Sequence, residues 1–184
     1  GGGNGTGGGT VTADPVANAI NRQPVGTIPA GYRIDQRTGT DAGTTAGFSI
    51  GYPSSGWSKS DNGVNSVLRL SAATYTRIDL TTHTYPNDML AEARYIRDAS
   101  MVNHPGYHEI ALGRMTIRGA SGAYWEFIWD DNGVKEQWLD LVWVANTPAG
   151  SQSYALLFAA PQSAWTQMSS TFAAQAQSFQ TNPS

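Results

Sequence analysis

The sequence predicts an α+β fold in which an antiparallel β-sheet is flanked by helices. Short segments that alternate apolar and polar residues are joined by two Asp-Asn-Gly turns, which favour hairpins and therefore antiparallel strands. Two further segments carry apolar residues at helical spacing. The chain of 184 residues is long enough for one domain, and its 40% hydrophobic content, with six Trp and eight Tyr, can supply a packed core.

Composition excludes several classes of protein. The net charge is −3 and only 14% of residues are charged, so a polybasic nucleic-acid binder is excluded. A chain without cysteine has no disulfide, no thiolate zinc site and no cysteine nucleophile. No apolar run approaches the ~20 residues that a membrane-spanning helix requires, and no signal-peptide pattern opens the chain. These features predict a soluble globular domain.

The N-terminal quarter of the chain divides into two parts. Residues 1–12 are rich in glycine and predict a flexible linker, because they cannot bury enough surface to offset the entropy of ordering. Residues 13–46 predict an N-terminal lead with one or two short elements, one of them a strand at Tyr32-Arg33-Ile34. The main α+β domain is predicted over residues 47–184, and residues 31–46 are expected to belong to it.

Four strands are predicted in the first half of the main domain. Phe48 to Tyr52 alternates apolar and small residues and stops at Pro53. The turn Asp61-Asn62-Gly63 separates two of the strands that follow. These further strands are predicted at Trp57–Ser60, Val67–Leu70 and Arg77–Thr84.

Two helices are predicted, one in the middle of the chain and one at its end. The first starts at Asn87, whose side chain can cap it, and ends near Asn103 before a His-Pro-Gly break. The second spans Gln162–Phe179 and carries one apolar stripe. Such a stripe is typical of a helix face buried in a core rather than of a cofactor site. It consists of Trp165, Met168, Phe172 and Phe179.

The second half predicts an antiparallel run of four strands. A turn at Gly119–Ala123 and a second Asp-Asn-Gly turn at residues 131–133 separate the first three of them. On the second strand, alternation places Trp125, Phe127 and Trp129 on one face. The strands are predicted at Tyr107–Arg118, Tyr124–Asp130, Lys135–Ala145 and Ser153–Ala159.

Several short motifs carry a resemblance to a known family. The first runs from Gly47 to Pro53 and leads to Gly56-Trp57, and the others follow at Pro105-Gly106-Tyr107, Trp125-Glu126-Phe127-Ile128-Trp129, Ser153-Tyr154-Ala155-Leu156, Ala160-Pro161 with Trp165, and Gln177-Ser178-Phe179. Over residues 31–179 the chain resembles the extracytoplasmic C-terminal domain of actinobacterial receptor-like serine/threonine protein kinases. It is also similar to related cell-wall lipoproteins of the PsbP-like α/β/α sandwich type.

The resemblance implies a PsbP-like α/β/α sandwich and a role outside the cytoplasm, at the cell surface. It implies a non-enzymatic sensor, or a ligand- or partner-binding domain, of a membrane-anchored kinase. The glycine-rich lead is similar to the linker that follows the membrane helix of such kinases, so membrane attachment is expected only through an upstream transmembrane segment or lipid anchor. The chain contains no His-Arg-Asp, Asp-Phe-Gly or Val-Ala-Ile-Lys motif, so any kinase chemistry lies elsewhere. The family supplies no catalytic or binding residue to transfer.

Three motifs that suggest catalysis or metal binding fail on their context. Gly3 to Gly8 matches G-x-G-x-x-G, but neither a strand precedes it nor a helix follows it. His104 and His108 have the spacing of a helical zinc pair, but the proline and glycine between them prevent that helix. They and His83 are interpreted as exposed or hydrogen-bonded imidazoles. Gly119–Gly122 is one residue short of a nucleophile elbow. No catalytic residue, metal site or cofactor is predicted.

Carboxylates cluster near the tryptophans, as they do in glycosidases. Glu126 and Asp130 share a strand face but lie about 13 Å apart on an extended strand, too far for an acid–base pair. We expect Glu126 to form a structural ion pair with a cross-strand partner on the preceding strand, such as Arg114 or Arg118. The other members of the cluster are Asp131, Glu136 and Asp140.

Four tryptophans on adjacent strands, Trp125, Trp129, Trp138 and Trp143, could form a platform for a sugar ring or a peptidoglycan fragment, and the candidate ligand-binding residues are Trp125, Trp129 and Trp143. Trp138 and Trp143 have opposite parity on one strand, so at least one of them points away from such a platform. Burial in the core is the default role for these side chains, because both faces of the sheet are covered in an α/β/α sandwich. Two functions remain open. A sensor domain binds an unknown small-molecule, cell-wall or protein ligand, whereas a lipoprotein-type carrier holds an apolar ligand between sheet and helix. A filled core with a surface groove would favour the sensor, and a large pocket lined by Trp and Leu the carrier.

Overall fold

A computed structural model of the chain describes residues 13–81, 85 and 87–182, and the predicted linker and His83 lie outside this range. None of the helices in the described part is long and apolar enough to cross a membrane. The elements, in chain order, are α1 Pro15–Ala19, β1 Tyr32–Arg37, α2 Gly39–Ala42, β2 Gly47–Pro53, β3 Ser58–Asn62, β4 Asn65–Arg69, β5 Tyr75–Thr81, α3 Met89–Met101, β6 His108–Ile117, β7 Ala120–Asp131, β8 Val134–Thr147, β9 Gly150–Pro161, a 3-10 helix Gln162–Ala164, α4 Trp165–Ser178 and β10 Gln180–Asn182.

Two antiparallel sheets organise these elements. The large sheet has the strand order β3-β4-β5-β9-β8-β7-β6, and the small sheet has the order β1-β2-β10. Strands β6 to β9 form a continuous meander of hairpins, because each pairs with its successor. At the turn between β7 and β8, Asn132 and Gly133 take φ angles of 50° and 87°, the left-handed conformation that the Asn-Gly pair favours.

Each face of the large sheet is covered differently. The inner face, which carries Tyr124, Trp143 and Tyr154, packs against α1, α4 and the small sheet and forms the main core. The outer face, which carries Trp125 and Asp140, is covered by α3 over β6, β7 and β8. This layered arrangement confirms the predicted α+β class with an antiparallel sheet flanked by helices.

The N-terminal lead contributes to the inner layer through α1. Asp14 caps this helix by accepting a hydrogen bond from the backbone N–H of Val16 at 2.8 Å, and its second oxygen accepts one from Trp165 Nε1 at 3.2 Å. Val16 and Ile20 are fully buried. The lead is therefore attached to α4 both by a polar contact and by buried apolar side chains.

Element boundaries differ from the prediction at the helix ends. Asp88, rather than Asn87, is the N-cap of α3, since its side chain accepts hydrogen bonds from the backbone of Leu90 and Ala91. Helix α4 begins at Trp165, three residues later than predicted, after the 3-10 helix. An aspartate one residue closer to the first turn caps equally well, so the pattern of capping residues alone does not distinguish the two.

Candidate functional site

The three candidate tryptophans do not share one surface. Trp125 pairs with Asp140 and Trp129 pairs with Glu136, so both lie on the outer face. Trp143 pairs with Gly122 and points to the inner face, where it is 1% exposed and stacks on Tyr154 with ring centroids 5.3 Å apart. The platform of all three residues therefore does not form.

A larger group of rings replaces that platform on the outer face. His104, from the loop after α3, lies with its ring centroid 4.7 Å from Trp129, 5.1 Å from Trp138 and 5.4 Å from Phe127. Further contacts extend the group from β5 to β6. We call this group the aromatic band; it comprises Tyr75, Trp138, Trp129, His104, Phe127, Trp125 and Tyr107.

The loop after α3 is fixed by main-chain and side-chain contacts. His104 Nδ1 lies 2.6 Å from the carbonyl oxygen of Ser100 and therefore donates to it. The backbone N–H of Asp130 donates to Pro105 O at 2.7 Å, and Trp125 Nε1 donates to the Tyr107 hydroxyl at 2.8 Å. The interpretation of His104 as a hydrogen-bonded imidazole is confirmed, and His108 is exposed. Within the described residues, no three His, Asp or Glu side chains are placed to hold a metal ion.

The aromatic band has a buried base and a rim that reaches solvent. Phe127 and Trp125 are buried, whereas Tyr75, Trp129 and Trp138 are half-buried. Trp138 Nε1 donates to Glu136 Oε2 at 3.0 Å, while Trp129 Nε1 is buried and has no hydrogen-bond partner among the described residues. The rim can therefore present ring surface to a ligand, whereas the Trp129 indole nitrogen is buried and the buried Glu136 carboxylate is already held by Trp138.

Three charged side chains continue the outer face beside the aromatic band. Arg77 Nε lies 3.1 Å from Asp79 Oδ2 on the same strand. Leu157 on β9 pairs with Arg77 on one side and with Asp140 on the other, so Arg77 and Asp140 face each other across β9. Burial raises the pKa of Asp140 to about 7, although the nearby Arg77 guanidinium opposes that change. The side-chain oxygens Asp79 Oδ1 and Asp140 Oδ1 are buried, with no hydrogen-bond partner among the residues described.

Sequence reasoning singled out Asp140 but missed Arg77 and Asp79. The pattern that could have found them is the alternation along β5, where Thr76, Ile78 and Leu80 are buried and the residues between them are only half-buried. Charged residues at those positions indicate that this side of β5 does not face the main apolar core.

The expected ion pair of Glu126 is wrong. Glu126 pairs with Ala111 and Leu139 and therefore points to the inner face, where it accepts a hydrogen bond from Gln137 Nε2 at 2.7 Å and contacts Asp14. Burial, and then the Asp14 carboxylate, raise the pKa of Glu126 to about 8.

The two arginines considered as partners lie elsewhere. Arg114 is on the outer face, 3.3 Å from Asp88. Arg118 follows the end of β6 and donates to main-chain carbonyl oxygens at the ends of α1 and α4.

Glu126 predicts a pH-dependent stability. The pKa of Glu126 is higher in the folded protein than in the unfolded chain. Its contribution to the free energy of unfolding is therefore fully present below about pH 4.5 and is lost as the pH rises towards 8. We expect the wild-type protein to become less stable between about pH 5 and pH 8. Because glutamine does not ionise, the Glu126→Gln variant should lose roughly 2–3 kcal/mol less of its free energy of unfolding over the same range. Urea denaturation at both pH values measures this. Glu109→Gln, at an exposed site, is the control, and an unchanged pH dependence in Glu126→Gln would contradict the assignment.

Two clefts lie at the opposite end of the sheet, and both are bounded by Ala120 and Asn146. One has a volume of about 300 Å³ on the inner side, and its walls include Trp143, Phe179 and Arg118. The other has a volume of about 340 Å³ on the outer side, against the start of α3. Arg118 is held by main-chain carbonyl groups, so its guanidinium is engaged in the fold. The aromatic band is therefore the stronger candidate site.

Comparisons with known proteins bear on the family and on the fold. A family model described as serine/threonine kinase C-terminal domain matches residues 42–181. The comparison with curated proteins finds no significant match.

Among solved structures, cyanobacterial PsbP (CyanoP) from Synechocystis sp. PCC 6803 is 17% identical with a TM-score of 0.54, covering 80% of this chain and 91% of its own. The Saccharomyces cerevisiae Ran-binding protein Mog1p is 8% identical with a TM-score of 0.50, covering 80% and 95%. LpqN, involved in cell envelope biogenesis of Mycobacterium tuberculosis, is 11% identical with a TM-score of 0.46, covering 85% and 82%. At these identities the likeness concerns the fold alone, and the similarity to CyanoP confirms the PsbP-like architecture.

Proposed function

The chain belongs to the serine/threonine kinase C-terminal domain family, and from that premise we propose that it is the extracytoplasmic ligand-binding domain of a membrane-anchored kinase. The matched region, residues 42–181, extends from α2 to β10, and the sequence carries none of the three kinase motifs. The domain is therefore an accessory domain, distinct from the kinase domain. Its contribution to signalling would be recognition rather than phosphoryl transfer.

The observation that carries the proposal is the partly exposed rim of the aromatic band. Tyr75, Trp129 and Trp138 keep part of their rings in contact with water although they lie on one sheet face. Apolar ring surface left in water is unfavourable, and a ligand that covers it recovers that free energy. The hydrogen bond from Trp138 Nε1 to Glu136 fixes the orientation of the Trp138 ring, so that the rim is held in place before a ligand binds.

The ligand class that fits this rim is a fragment of the cell wall. A sugar ring offers an apolar face that stacks on partly exposed indole rings while its hydroxyl groups stay in contact with water. The packing of the inner face also favours a domain that binds its ligand on the surface over a lipoprotein-type carrier. Fully buried rings fill the space between that face and α4, where a carrier needs a cavity; they include Tyr154, Phe158 and Phe172.

A location outside the cytoplasm is part of the same proposal. The absence of cysteine suits an oxidising exterior, since no thiol is available for unwanted disulfides. The membrane connection would be made by a transmembrane segment or lipid anchor before this domain. Localisation of a tagged full-length protein by surface proteolysis tests this part separately.

Binding to a soluble digest of peptidoglycan tests the proposal. We expect isothermal titration calorimetry to show saturable binding, and Trp138→Ala or Trp129→Ala to weaken it at least about tenfold, since a buried aromatic contact contributes ~1.4 kcal/mol or more. Trp165→Phe, a change on α4 beneath the opposite face, is the matched control and should leave affinity unchanged.

Two outcomes would contradict the proposal. The first is a wild-type protein that binds no component of the digest. The second is a pair of outer-face variants that remain folded by circular dichroism and bind as tightly as wild type.

A further inference from the structure

The centre of the aromatic band is a histidine rather than an apolar ring. The ring centroid of His104 lies 4.7 Å from that of Trp129 and 5.1 Å from that of Trp138, the two tryptophans of the rim. We propose that His104 is the positioning residue of this rim: in its protonated form it holds both indole rings, so that the site binds its ligand more tightly at acidic pH. This inference rests on the proposed function, because it concerns the regulation of the same site.

The loop that follows α3 sets the position of His104. Helix α3 ends at Met101, and Pro105 with the glycine after it prevents the chain from continuing as a helix. The carbonyl oxygen of Pro105 accepts a hydrogen bond from the backbone N–H of Asp130 on β7 at 2.7 Å. Asp130 is the residue next to Trp129, so the main chain itself holds the imidazole beside that indole ring.

One ring nitrogen of His104 carries a hydrogen in both charge states. Nδ1 donates to the carbonyl oxygen of Ser100 at 2.6 Å, which requires a hydrogen on that nitrogen. The proton gained on acidification is therefore the one on Nε2, which makes no hydrogen bond within the part of the chain that the structure describes. The side chain is half-buried, so this proton can exchange with water. Histidine is the residue type whose charge commonly changes near neutral pH.

Three aromatic rings surround the imidazole on which that positive charge is spread. Besides Trp129 and Trp138, Phe127 lies with its ring centroid 5.4 Å from that of His104. A cation within about 6 Å of an aromatic ring centroid is attracted by the ring quadrupole, and indole attracts it most strongly. A neutral imidazole lacks this attraction. Protonation therefore strengthens the link between the loop and both rim tryptophans.

A carboxylate on β8 adds to the same effect. Glu136 Oε2 accepts a hydrogen bond from Trp138 Nε1 at 3.0 Å. Burial, and after it the nearby Asp131, raise the pKa of Glu136, whereas the hydrogen bond from Trp138 and the positive charge on His104 oppose that change. The imidazolium thus lies close enough to Glu136 to act on its charge. Trp138 contacts both groups and is held more firmly when both are charged.

The other ionisable groups around His104 are mostly neutral or already paired. Burial raises the pKa of the Tyr75 phenol and raises that of Tyr107 to about 12, so both stay neutral near pH 7. The nearby arginine and lysine are paired with carboxylates. Burial also raises the pKa of Glu136, so a variant of this residue belongs in the test. The ionisable groups on the surrounding elements are Tyr75, Arg97, Asp98, Tyr107, Glu109, Asp130, Asp131, Lys135 and Glu136.

Indole NMR signals followed against pH test the inference on the intact chain without a ligand. Between about pH 5.5 and about pH 8, we expect the Trp129 and Trp138 indole signals to shift along the same titration curve as the His104 ring signals. His104→Gln keeps a side-chain donor for the Ser100 carbonyl group but takes up no proton, so it should remove this curve. His108→Gln, at an exposed site on β6, is the matched control and should keep it.

Two results would overturn the inference. The first is a pair of indole signals that do not change with pH, and the second is a curve that persists in His104→Gln. In the second case, loss of the curve in Glu136→Gln identifies the carboxylate as the group that titrates. Thermal melting confirms that each variant is folded.

Calorimetric titration with the peptidoglycan digest measures the effect on binding. We expect the wild type to bind about three- to fivefold more tightly at about pH 5.5 than at about pH 8. His104→Gln should bind with one affinity at both pH values, close to that of the wild type at the higher pH. His108→Gln should keep the difference between the two pH values.

The two measurements separate this inference from the proposed function. If the digest binds equally at both pH values and Trp138→Ala still weakens it, the role of His104 is wrong and the proposed function stands. If no component of the digest binds, the cell-wall ligand is wrong, and the indole titration alone decides whether His104 positions the rim.

Discussion

Replacing Arg118 with methionine is expected to lower the free energy of unfolding by about 3–4 kcal/mol. The guanidinium donates to carbonyl oxygens at the ends of α1 and α4, where the regular helical hydrogen bonds stop. Methionine preserves most of the apolar volume but removes these charge-assisted hydrogen bonds; the oxygens of Ala176 and Gln177 keep the backbone N–H groups of Phe179 and Gly26 as donors, so the loss falls mainly on the oxygens of Phe179 and Ile20. The acceptors are the main-chain oxygens of Phe179 at 2.7 Å, Ala176 at 3.2 Å and Gln177 at 3.3 Å, together with that of Ile20.

Urea denaturation followed by tryptophan fluorescence measures this loss. Burial lowers the pKa of Arg118 to about 10, so the side chain is charged at neutral pH and its hydrogen bonds are charge-assisted. Arg118→Lys should recover only part of the stability, because an ammonium cannot reproduce the planar fork. Arg94→Met, on the exposed side of α3, should change it by less than about 0.5 kcal/mol. A loss below ~1 kcal/mol in Arg118→Met would show that other donors replace the guanidinium.

Phe179→Ala is expected to cost about 3–5 kcal/mol, the usual range for removing a buried phenyl ring. The ring is 1% exposed and stacks on Phe48 of the small sheet at 6.1 Å between centroids. It also meets Trp143 and Tyr154 of the large sheet edge-on, each at 5.5 Å. Its removal leaves a cavity at the junction of both sheets, where no single element can collapse to fill it.

The same denaturation experiment, combined with amide hydrogen exchange, measures the effect of Phe179→Ala. Amides of β2 and β10 should lose protection more than those of β8 and β9, because the small sheet depends on this ring to pack on the large one. Tyr95→Ala, at a side chain 72% exposed, is the control and should be nearly neutral. A uniform and small loss of stability, below about 1.5 kcal/mol, would mean that the cavity collapses.

The meander of β6 to β9 was predictable because its information is local. The Asp131-Asn132-Gly133 turn sets a hairpin by its own backbone preference, and alternation along β7 separates Trp125 from Glu126. The apolar stripe of α4 is equally local. These segments needed no knowledge of distant residues.

Long-range pairing was not predictable in the same way. A period of two residues says which side chains share a face but not which strand lies beside which, so the pairing of β5 with β9 has no local signature. Strand β10 is only three residues, Gln180–Asn182, and lacks an apolar pattern. Its place in a sheet follows from β2, its partner near the beginning of the chain.

The candidate site was also predictable only where its information is local. Parity along β7 correctly placed Trp125 and Trp129 together, and parity along β8 separated Trp143 from Trp138. The positions of Arg77 and Asp79 depend on the β5–β9 pairing and were not accessible. The neighbour of Glu126 was predicted wrongly because Asp14, which contacts it, lies far away in the sequence. An arginine on the adjacent strand was therefore the expected partner.

The strand order of the small sheet also constrains the order of assembly. Strands β1 and β2 are made early, yet their sheet is completed by Gln180–Asn182, after the whole meander. During synthesis from the N-terminus, β2 therefore keeps one edge unpaired while the hairpins of the large sheet close by short-range contacts. Ring contacts of Phe179 join the two sheets only after the meander has been made, so the docking of α4 and β10, rather than hairpin formation, completes the native state.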